Sequence, residues 1–273
     1  MSFILGVDTG GTYTDAVILE DEERVIAFSK ALTTHSDLSL GIGSAIQKAV
    51  KQRNTAPEKI SLVSLSTTLA TNALVEGQGD RVALVMIGFK DSDLEKHSIF
   101  DALKGDPFLV IEGGHNYAGF EKSPLEKNKL SRWVSEIKGV SAYAVCSQFA
   151  VRNPEHELEA AQIIRKLTDK PVSLSHQLSA KLNGPKRALT AVLNARLIAL
   201  IDLLIIKAEH VIKGLGIQAP LMVVRGDGAL ISAAQAREKP IETILSGPAA
   251  SIVGARWLTD ESEAIVSDIG GTT

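Results

Sequence analysis

The chain has 273 residues, 45% of them hydrophobic and 22% charged, with a net charge of −3 and one cysteine, Cys146. This is the composition of a soluble globular chain with a real core, and so small a charge draws it neither to nucleic acid nor to an anionic membrane surface. A single cysteine forms no internal disulfide, which fits a cytoplasmic setting.

The N-terminus, Met1-Ser2-Phe3-Ile4-Leu5-Gly6-Val7-Asp8, is too short and too uncharged at its start for a secretory signal. Phe3 to Val7 reads as a strand, Asp8 to Thr14 as a Gly-rich turn, and Ala16 to Leu19 as a second strand. Glu20 to Glu23 is a polar reverse turn and Arg24 to Leu32 a third strand, so the chain opens with a three-strand meander. Ser36 or Asp37 caps the next helix, whose apolar stripe is Leu40, Ile42, Ala45, Ile46, Ala49 and Val50. Ile60 to Leu65 is a short buried strand. Thr67 or Thr68 caps the helix that follows, and Gly77 ends it.

Val82 to Ile87 is another buried strand, residues 90–135 are mixed, and Gly113-Gly114-His115-Asn116 is a loop. Ala142 to Cys146 reads as a strand. Asn153 is a good N-cap for a helix to about Leu167, with Pro154 where its missing N–H costs nothing. A short strand at Val172 to Ser175 precedes the longest helix, which starts at Asn183-Gly184-Pro185, ends near Gly214, and is apolar around most of its circumference. Its most apolar run, Leu197 to Ile206, is interrupted by Asp202 and too short to span a bilayer. Leu221 to Val224 is a strand, Ser246-Gly247-Pro248 leads a small-residue helix to Leu258, and Ile265-Val266 is a last strand. Strands alternating with helices give an α/β fold with helices on a mixed sheet.

One internal repeat stands out. Asp8-Thr9-Gly10-Gly11-Thr12 matches Asp268-Ile269-Gly270-Gly271-Thr272, and each follows a short apolar run. Paired glycines let the backbone take up unusual conformations and approach a ligand closely. Successive N–H groups in such a turn form a concavity for anions, and threonine adds a hydroxyl. An aspartate repels phosphate oxygens, so Asp8 and Asp268 make sense as partners of a nucleotide-borne Mg²⁺, through water. One copy alone reads equally well as an ordinary hairpin; two copies at corresponding strand ends weigh against that. The chain contains neither a P-loop nor Gly-x-Gly-x-x-Gly in this turn.

Duplicated Asp-x-Gly-Gly-Thr hairpins resemble the phosphate loops of the actin, sugar kinase and chaperone-ATPase superfamily, in which two α/β lobes close on ATP. Gly247 to Ala255 looks like the small-residue helix that precedes the second loop. A narrower resemblance is to the A-type subunits of the hydantoinase/oxoprolinase/acetone carboxylase family. It rests on Gly6 to Asp15, Ser66 to Leu74, Asn153 to Glu157, Arg225 to Leu230 and Ser246 to Ala249, in that order, while 90–135 matches weakly.

The resemblance implies an actin-like, ribonuclease H-like lobe with a mixed sheet, its first lobe nearly complete and its second truncated. The implied division is an N-terminal region over 1–180 and the start of the core over 181–273. The implied activity is ATP-dependent phosphorylation of a cyclic amide or carbonyl oxygen before ring opening by water, with a second, B-type subunit as partner. A small-molecule kinase and a non-catalytic nucleotide-binding module are the alternatives. The expected cofactors are ATP and Mg²⁺, and the expected substrate is a cyclic amide or ketone; nucleic acid and membrane are not expected.

Residue by residue, Asp8 and Asp268 would hold Mg²⁺ water, and the backbones of Gly10, Gly11, Thr12, Gly270, Gly271 and Thr272 would hold phosphates, with Thr14 beside them. Asp15 would orient Thr12 or metal water, or simply bond local N–H groups. Thr67, Thr68 and Asn72, at a helix start after a buried strand, sit where open α/β sheets bind ligands, although N-capping alone explains one threonine. Because the second turn is only the first half of a hairpin, the chain is expected to hold half of the active site. His115 and His156 are read as carrying no ligand, Cys146 as a small buried hydrophobe, and Arg225-Gly226-Asp227 as a strand-end turn.

Overall fold

Along Phe3–Thr9, buried and half-exposed residues alternate one by one, as they must in a strand that packs one face against a core. The same alternation covers most of the second strand. The structure is a computed structural model, described here for residues 2–95, 98–261 and 263–267. In chain order the elements are β1 (Phe3–Thr9), β2 (Tyr13–Glu20), β3 (Arg24–Leu32), α1 (Leu38–Arg53), β4 (Ile60–Thr67) and α2 (Leu69–Val75). They continue with β5 (Val82–Ile87), α3 (Ile99–Leu103), β6 (Phe108–Ile111), α4 (Lys127–Glu136), β7 (Ala142–Ser147), α5 (Glu155–Leu167), β8 (Val172–Leu174) and α6 (Ser175–Leu178). The rest are α7 (Gly184–Gly214), β9 (Leu221–Val224), β10 (Leu230–Ser232), α8 (Ala233–Glu238) and α9 (Ser246–Thr259).

The contacts divide the chain into two units. One comprises residues 1–78 and 200–273, the other residues 79–199. This division by contacts is discontinuous in sequence. α7 contributes residues 184–199 to the second unit and 200–214 to the first.

The first unit holds a six-stranded sheet in the order β10-β9-β4-β1-β2-β3. β1, β2 and β3 form the expected antiparallel meander, and β4 and β9 add in parallel beside β1. A meander followed by parallel strands on the far side of β1 is the ribonuclease H-like order expected of an actin-like ATPase lobe. α1 starts where expected: Asp37 caps it, its carboxylate accepting the Ser39 N–H at 3.1 Å. Its buried stripe of Ile42, Ala45, Ile46 and Ala49 packs with Leu5 and Ile18 in the core. Each of these larger side chains contributes about 1.5–3 kcal/mol by leaving water. α1 also reaches the rim of the sheet. Gln52 Oε1 accepts the Phe28 N–H at 3.0 Å, Arg53 Nε donates to Ile26 O at 3.0 Å, and Lys48 Nζ donates to Lys30 O at 3.5 Å.

The second unit is a four-stranded parallel sheet, β6-β5-β7-β8. β5 and β7 are buried on both faces, as parallel strands covered by helices are. Ala83, Val85, Tyr143 and Val145 face a core shared with α4 and α5; Leu84, Met86, Ala144 and Cys146 face one shared with α3 and α7.

Three local expectations change. Asn153 does the work of a cap, its Oδ1 accepting the Glu155 N–H at 3.0 Å, but α5 begins one residue later than expected, with Pro154 at the boundary. α7 is long and apolar enough by length and composition to cross a membrane, with half of its most apolar window buried. It carries buried Arg187, Asn194 and Arg196, all hydrogen-bonded inside the second unit, as a core helix requires. Its later half is partly exposed despite its apolar circumference, with Leu203 and Ile206 about half exposed. Finally, Ile265-Val266 is not a strand: Ile265 is fully exposed, and no described strand pairs with it. A strand without a ladder has nothing to satisfy its backbone or cover its side chains.

Candidate functional site

The register of the first sheet sets the site. Ser66, Asp8, Asp15 and Lys30 are direct neighbours across β4, β1, β2 and β3, so they form one row on one face of the sheet. Ser66 Oγ donates to Asp8 Oδ1 at 2.6 Å. Asp15 Oδ1 lies 3.1 Å from Lys30 Nζ, which also sits 5.0 Å from the centre of the Tyr13 ring. Two carboxylates side by side on adjacent strands repel one another. Lys30 offsets this for Asp15, and Asp8 has its Ser66 hydrogen bond.

The next row, Thr67, Thr9 and Thr14, lies on the opposite face and is fully buried. Thr14 Oγ1 is 3.0 Å from Thr33 Oγ1, so Thr14 supports the turn from below rather than lining the Asp8 face. Thr9 Oγ1 is buried with no partner among the described residues.

Around the 10–12 turn the carbonyls of Thr9, Gly10, Thr12 and Tyr13 are committed. Gly10 O accepts from Thr33 Oγ1 at 2.9 Å, Thr12 O from the Thr33 N–H at 2.9 Å, and Tyr13 O from the Gly10 N–H at 3.0 Å. Thr9 O accepts from Thr67 Oγ1 at 3.2 Å and from the Thr68 N–H at 3.3 Å. Among the described residues the N–H groups of Gly11 and Thr12 have no protein acceptor. Such a turn presents two N–H donors side by side, which suits an anion.

One expectation about this turn needs correcting: neither Gly10 nor Gly11 adopts a left-handed φ. Gly10 is required by proximity instead, since a Cβ there would stand 3.0 Å from Tyr13 O. Its own N–H is also spent within the turn, leaving Gly11 and Thr12 as the donors.

α2 and the start of α9 meet this end of the sheet. Thr67 Oγ1 accepts the Leu69 N–H at 3.0 Å as well as bonding Thr9, so its side chain is fully employed in joining β1, β4 and α2. Thr68 and Asn72 remain half-buried, and Asn72 Nδ2 donates to Thr68 Oγ1 at 3.4 Å. Ser246, buried at the start of α9, bonds both the N–H and the carbonyl of Thr67. Sequence reasoning missed that role, although the Ser-Gly-Pro-Ala motif pointed to the segment. It brings Gly247 to the site: a Cβ on Gly247 would lie 3.1 Å from the Thr68 methyl and 3.9 Å from Asp8 Oδ1.

Asp8, Asp15, Gly11, Thr12, Thr68 and Asn72 thus gather at one end of the first sheet. Asp268, Gly270, Gly271 and Thr272 lie outside the described residues.

The family matches agree with this arrangement. The hydantoinase/oxoprolinase N-terminal region matches residues 4–168, and the hydantoinase/oxoprolinase family matches residues 187–273. The chain belongs to the hydantoinase/oxoprolinase family. Among relatives, the caprolactamase subunit alpha of Pseudomonas jessenii is 28% identical over 98% of this chain and 42% of its own length. The 5-oxoprolinase 1 of Arabidopsis thaliana is 25% identical over 98% of this chain and 25% of its own. Among solved structures, the ATP-dependent caprolactamase of Pseudomonas jessenii superposes with a TM-score of 0.80 at 25% identity, over 94% of this chain and 40% of that one. The nucleotide-free acetone carboxylase superposes with a TM-score of 0.78 at 19% identity, which shows the fold alone. This hydantoinase/oxoprolinase chain therefore spans about two fifths or less of the length of these relatives.

The remaining candidates fall outside the site. Cys146 is fully buried; burial, then Glu157 nearby, pushes its thiol up to about 12, and its Sγ–H meets Gly184 O at 3.3 Å. It is the small hydrophobe expected, not a nucleophile. His156 is almost fully buried: its Nδ1 accepts the Gly114 N–H at 2.8 Å and its Nε2 pairs with Glu121 at 3.1 Å. His115 is buried 4.5 Å from the His156 ring, with neither nitrogen bonded among the described residues. No group of three or more metal-binding side chains occurs among the described residues. Arg225-Gly226-Asp227 is the turn between β9 and β10, closed by the Arg225–Asp227 ion pair, whose hydrogen bonds hold the Asp227 carboxyl well below its usual range.

Proposed function

We propose that this chain carries the first phosphate-binding loop of an ATP-dependent enzyme that phosphorylates a carbonyl or amide oxygen, on a cyclic amide or a ketone, before water opens or transforms the activated group. The observation that carries the reading is the 10–12 turn, where Thr33 satisfies the carbonyls of Gly10 and Thr12 while the N–H groups of Gly11 and Thr12 have no acceptor among the described residues. Beside that turn, Asp8 and Asp15 stand on adjacent strands. A divalent cation relieves the repulsion between them, and oxygen ligands are what Mg²⁺ takes. Bound Mg-ATP supplies the phosphoryl group.

The protein's part is positioning and charge neutralisation. Gly11 and Thr12 orient phosphate oxygens, Asp8 holds metal-bound water from a carboxylate fixed by Ser66, and Thr68 and Asn72 present a hydroxyl and an amide to the accepting substrate. Thr67 and Thr14 hold the loop in shape. Members of a family named for hydantoinase and oxoprolinase, and a relative named caprolactamase, support the substrate class. A relative named as subunit alpha supports a B-type partner subunit.

Calorimetric titration of Mg-ATP tests the loop. Wild type should bind, and Asp8→Asn should weaken binding of Mg-ATP at least about tenfold, or ~1.4 kcal/mol, while leaving binding of metal-free ATP unchanged. Equal affinities of the two proteins for Mg-ATP would overturn the assignment. With the partner subunit present, ATP hydrolysis should rise only when a hydantoin, lactam or ketone is added.

A further inference from the structure

The second unit has a cavity that the phosphate-loop reading does not use. Its strand order β6-β5-β7-β8 is a doubly wound arrangement: the chain leaves β5 for β6 on one side, then crosses to β7 on the other. α3 and α7 cover one face, α4 and α5 the other. In such sheets the crevice for ligands lies beyond the carboxyl ends of the two strands where winding reverses. Here those strands are β5 and β7, ending at Ile87 and Ser147. A cavity of about 330 Å³ lies there, at the small end of the range of roughly 300–1,000 Å³ that holds small molecules. Phe89 follows β5, Gln148 and Phe149 follow β7, and Leu182 and the first residues of α7 close the cavity.

The site is held in shape by buried charge. Arg187, almost completely buried, donates to Ser147 O at 2.8 Å and to the carbonyls of Lys181 and Leu182 at 2.8 and 2.9 Å. It therefore ties the end of β7 to the 181–182 segment, the two opposite sides of the cavity. Buried Glu157 accepts the Ser147 N–H at 2.8 Å and is linked to Arg187 through Ser175. On this clamped strand end, Phe149 is forced into a left-handed conformation, φ 56°. Strain in a bulky residue persists where the surroundings over-determine it, and it clusters at ligand sites. Gly184 lets the Phe89 ring lie against the helix start, since a Cβ there would come within 2.4 Å of that ring.

The lining selects the ligand. The start of a long helix ordinarily attracts anions, but here Pro185 has no N–H and the Lys186 N–H is already taken by Asn183 Oδ1 at 3.1 Å. Among the described residues, the charged side chain lining the cavity is Asp93, a carboxylate. What remains is two phenyl rings, a leucine and the carboxamide of Gln148, whose Oε1 also accepts from Lys122 Nζ at 3.4 Å and keeps a second lone pair, while its Nε2 has no acceptor among the described residues. Phenyl walls stack on rings, and a carboxamide pairs with another amide edge, one donor to one acceptor.

We propose that this cavity is a second ligand site, independent of the phosphate loop, for a small uncharged planar ring compound bearing a carboxamide-type edge. Nicotinamide is a suitable probe, with nicotinate as its anionic counterpart of equal size. In ¹H–¹⁵N spectra of the full chain, nicotinamide should move the amide signals of Gly88, Gln148, Phe149 and Gly184 saturably, and nicotinate should bind at least about tenfold more weakly. Gln148→Leu should weaken nicotinamide about tenfold without weakening toluene. Phe149→Gly, which relieves the left-handed strain and so keeps the fold, should weaken both. Three results would each overturn the proposal: no saturable shift up to the solubility limit, shifts confined to other residues, or equal binding of nicotinate.

Discussion

Ser66→Ala removes the hydrogen bond that ties Asp8 to β4. Ser66 Oγ donates to the Asp8 carboxylate at 2.6 Å, and a bond to a charged group contributes about 1.5–3 kcal/mol. Asp8 is only half-buried, so water replaces part of what is lost, and the lower figure applies. For a chain of this size about 1.5 kcal/mol lowers the melting temperature by roughly 3–6 °C. Little of that is cavity cost, since only an oxygen is removed. The functional consequence is separable from the stability loss. Ser66 touches the proposed metal water only through Asp8, so Ser66→Ala should weaken Mg-ATP several-fold and leave metal-free ATP unaffected. The double variant Ser66→Ala/Asp8→Asn should then bind Mg-ATP no worse than Asp8→Asn alone, because neighbours that act through each other do not add. Thermal melts and calorimetry at matched temperature read both effects. Full additivity in Mg-ATP binding, or wild-type Mg-ATP affinity in Ser66→Ala, would refute the reasoning.

Two further predictions concern the second unit. Burial, and then the His156 ring, hold the His115 imidazole below its ordinary value of 6.5. Below that value the unfolded chain binds a proton that the folded chain resists, so this stability is complete above about pH 6.5 and is lost as pH falls through the acid range. Since neither His115 nitrogen is bonded among the described residues, His115→Phe should match wild type in urea unfolding near pH ~7.5 and exceed it near pH ~5; equal acid sensitivity of the two proteins would refute this. Cys146, with its thiol pushed up to about 12, should resist iodoacetamide in the native protein and react only after unfolding. Labelling of the native protein as fast as that of a free thiol would contradict its burial.

The first unit was largely legible because its signals are local. Short apolar runs on either side of a Gly-rich turn gave β1 and β2, Asp37 gave the start of α1, and the repeated turn gave the residues at the sheet end. What the turn hid was how it works. Gly10 reads as a residue wanted for unusual φ, yet it is wanted for closeness to Tyr13 O, and only the folded register reveals that. Thr14 and Thr67 share residue type with Thr12 and Thr68, but strand parity places them on the opposite face. A shift of one residue decides that assignment, and sequence pattern fixes parity less well than it fixes the existence of a strand. The second unit was harder to read. Its strands are apolar on both faces and carry no period, and its organising groups, Arg187, Glu157 and Ser175, come from segments far apart in sequence. Ile265-Val266 had the composition of a strand without a described partner to make it one.

The three side chains that α1 extends over β3 have a consequence for the protein's behaviour in solution. Lys48, Gln52 and Arg53 occupy the outward hydrogen-bonding positions of Lys30, Phe28 and Ile26. A free rim of this kind is the usual template on which another chain adds a strand and starts an aggregate. Here three of those positions are already taken by the protein's own helix, which hinders another chain from continuing the sheet along this margin.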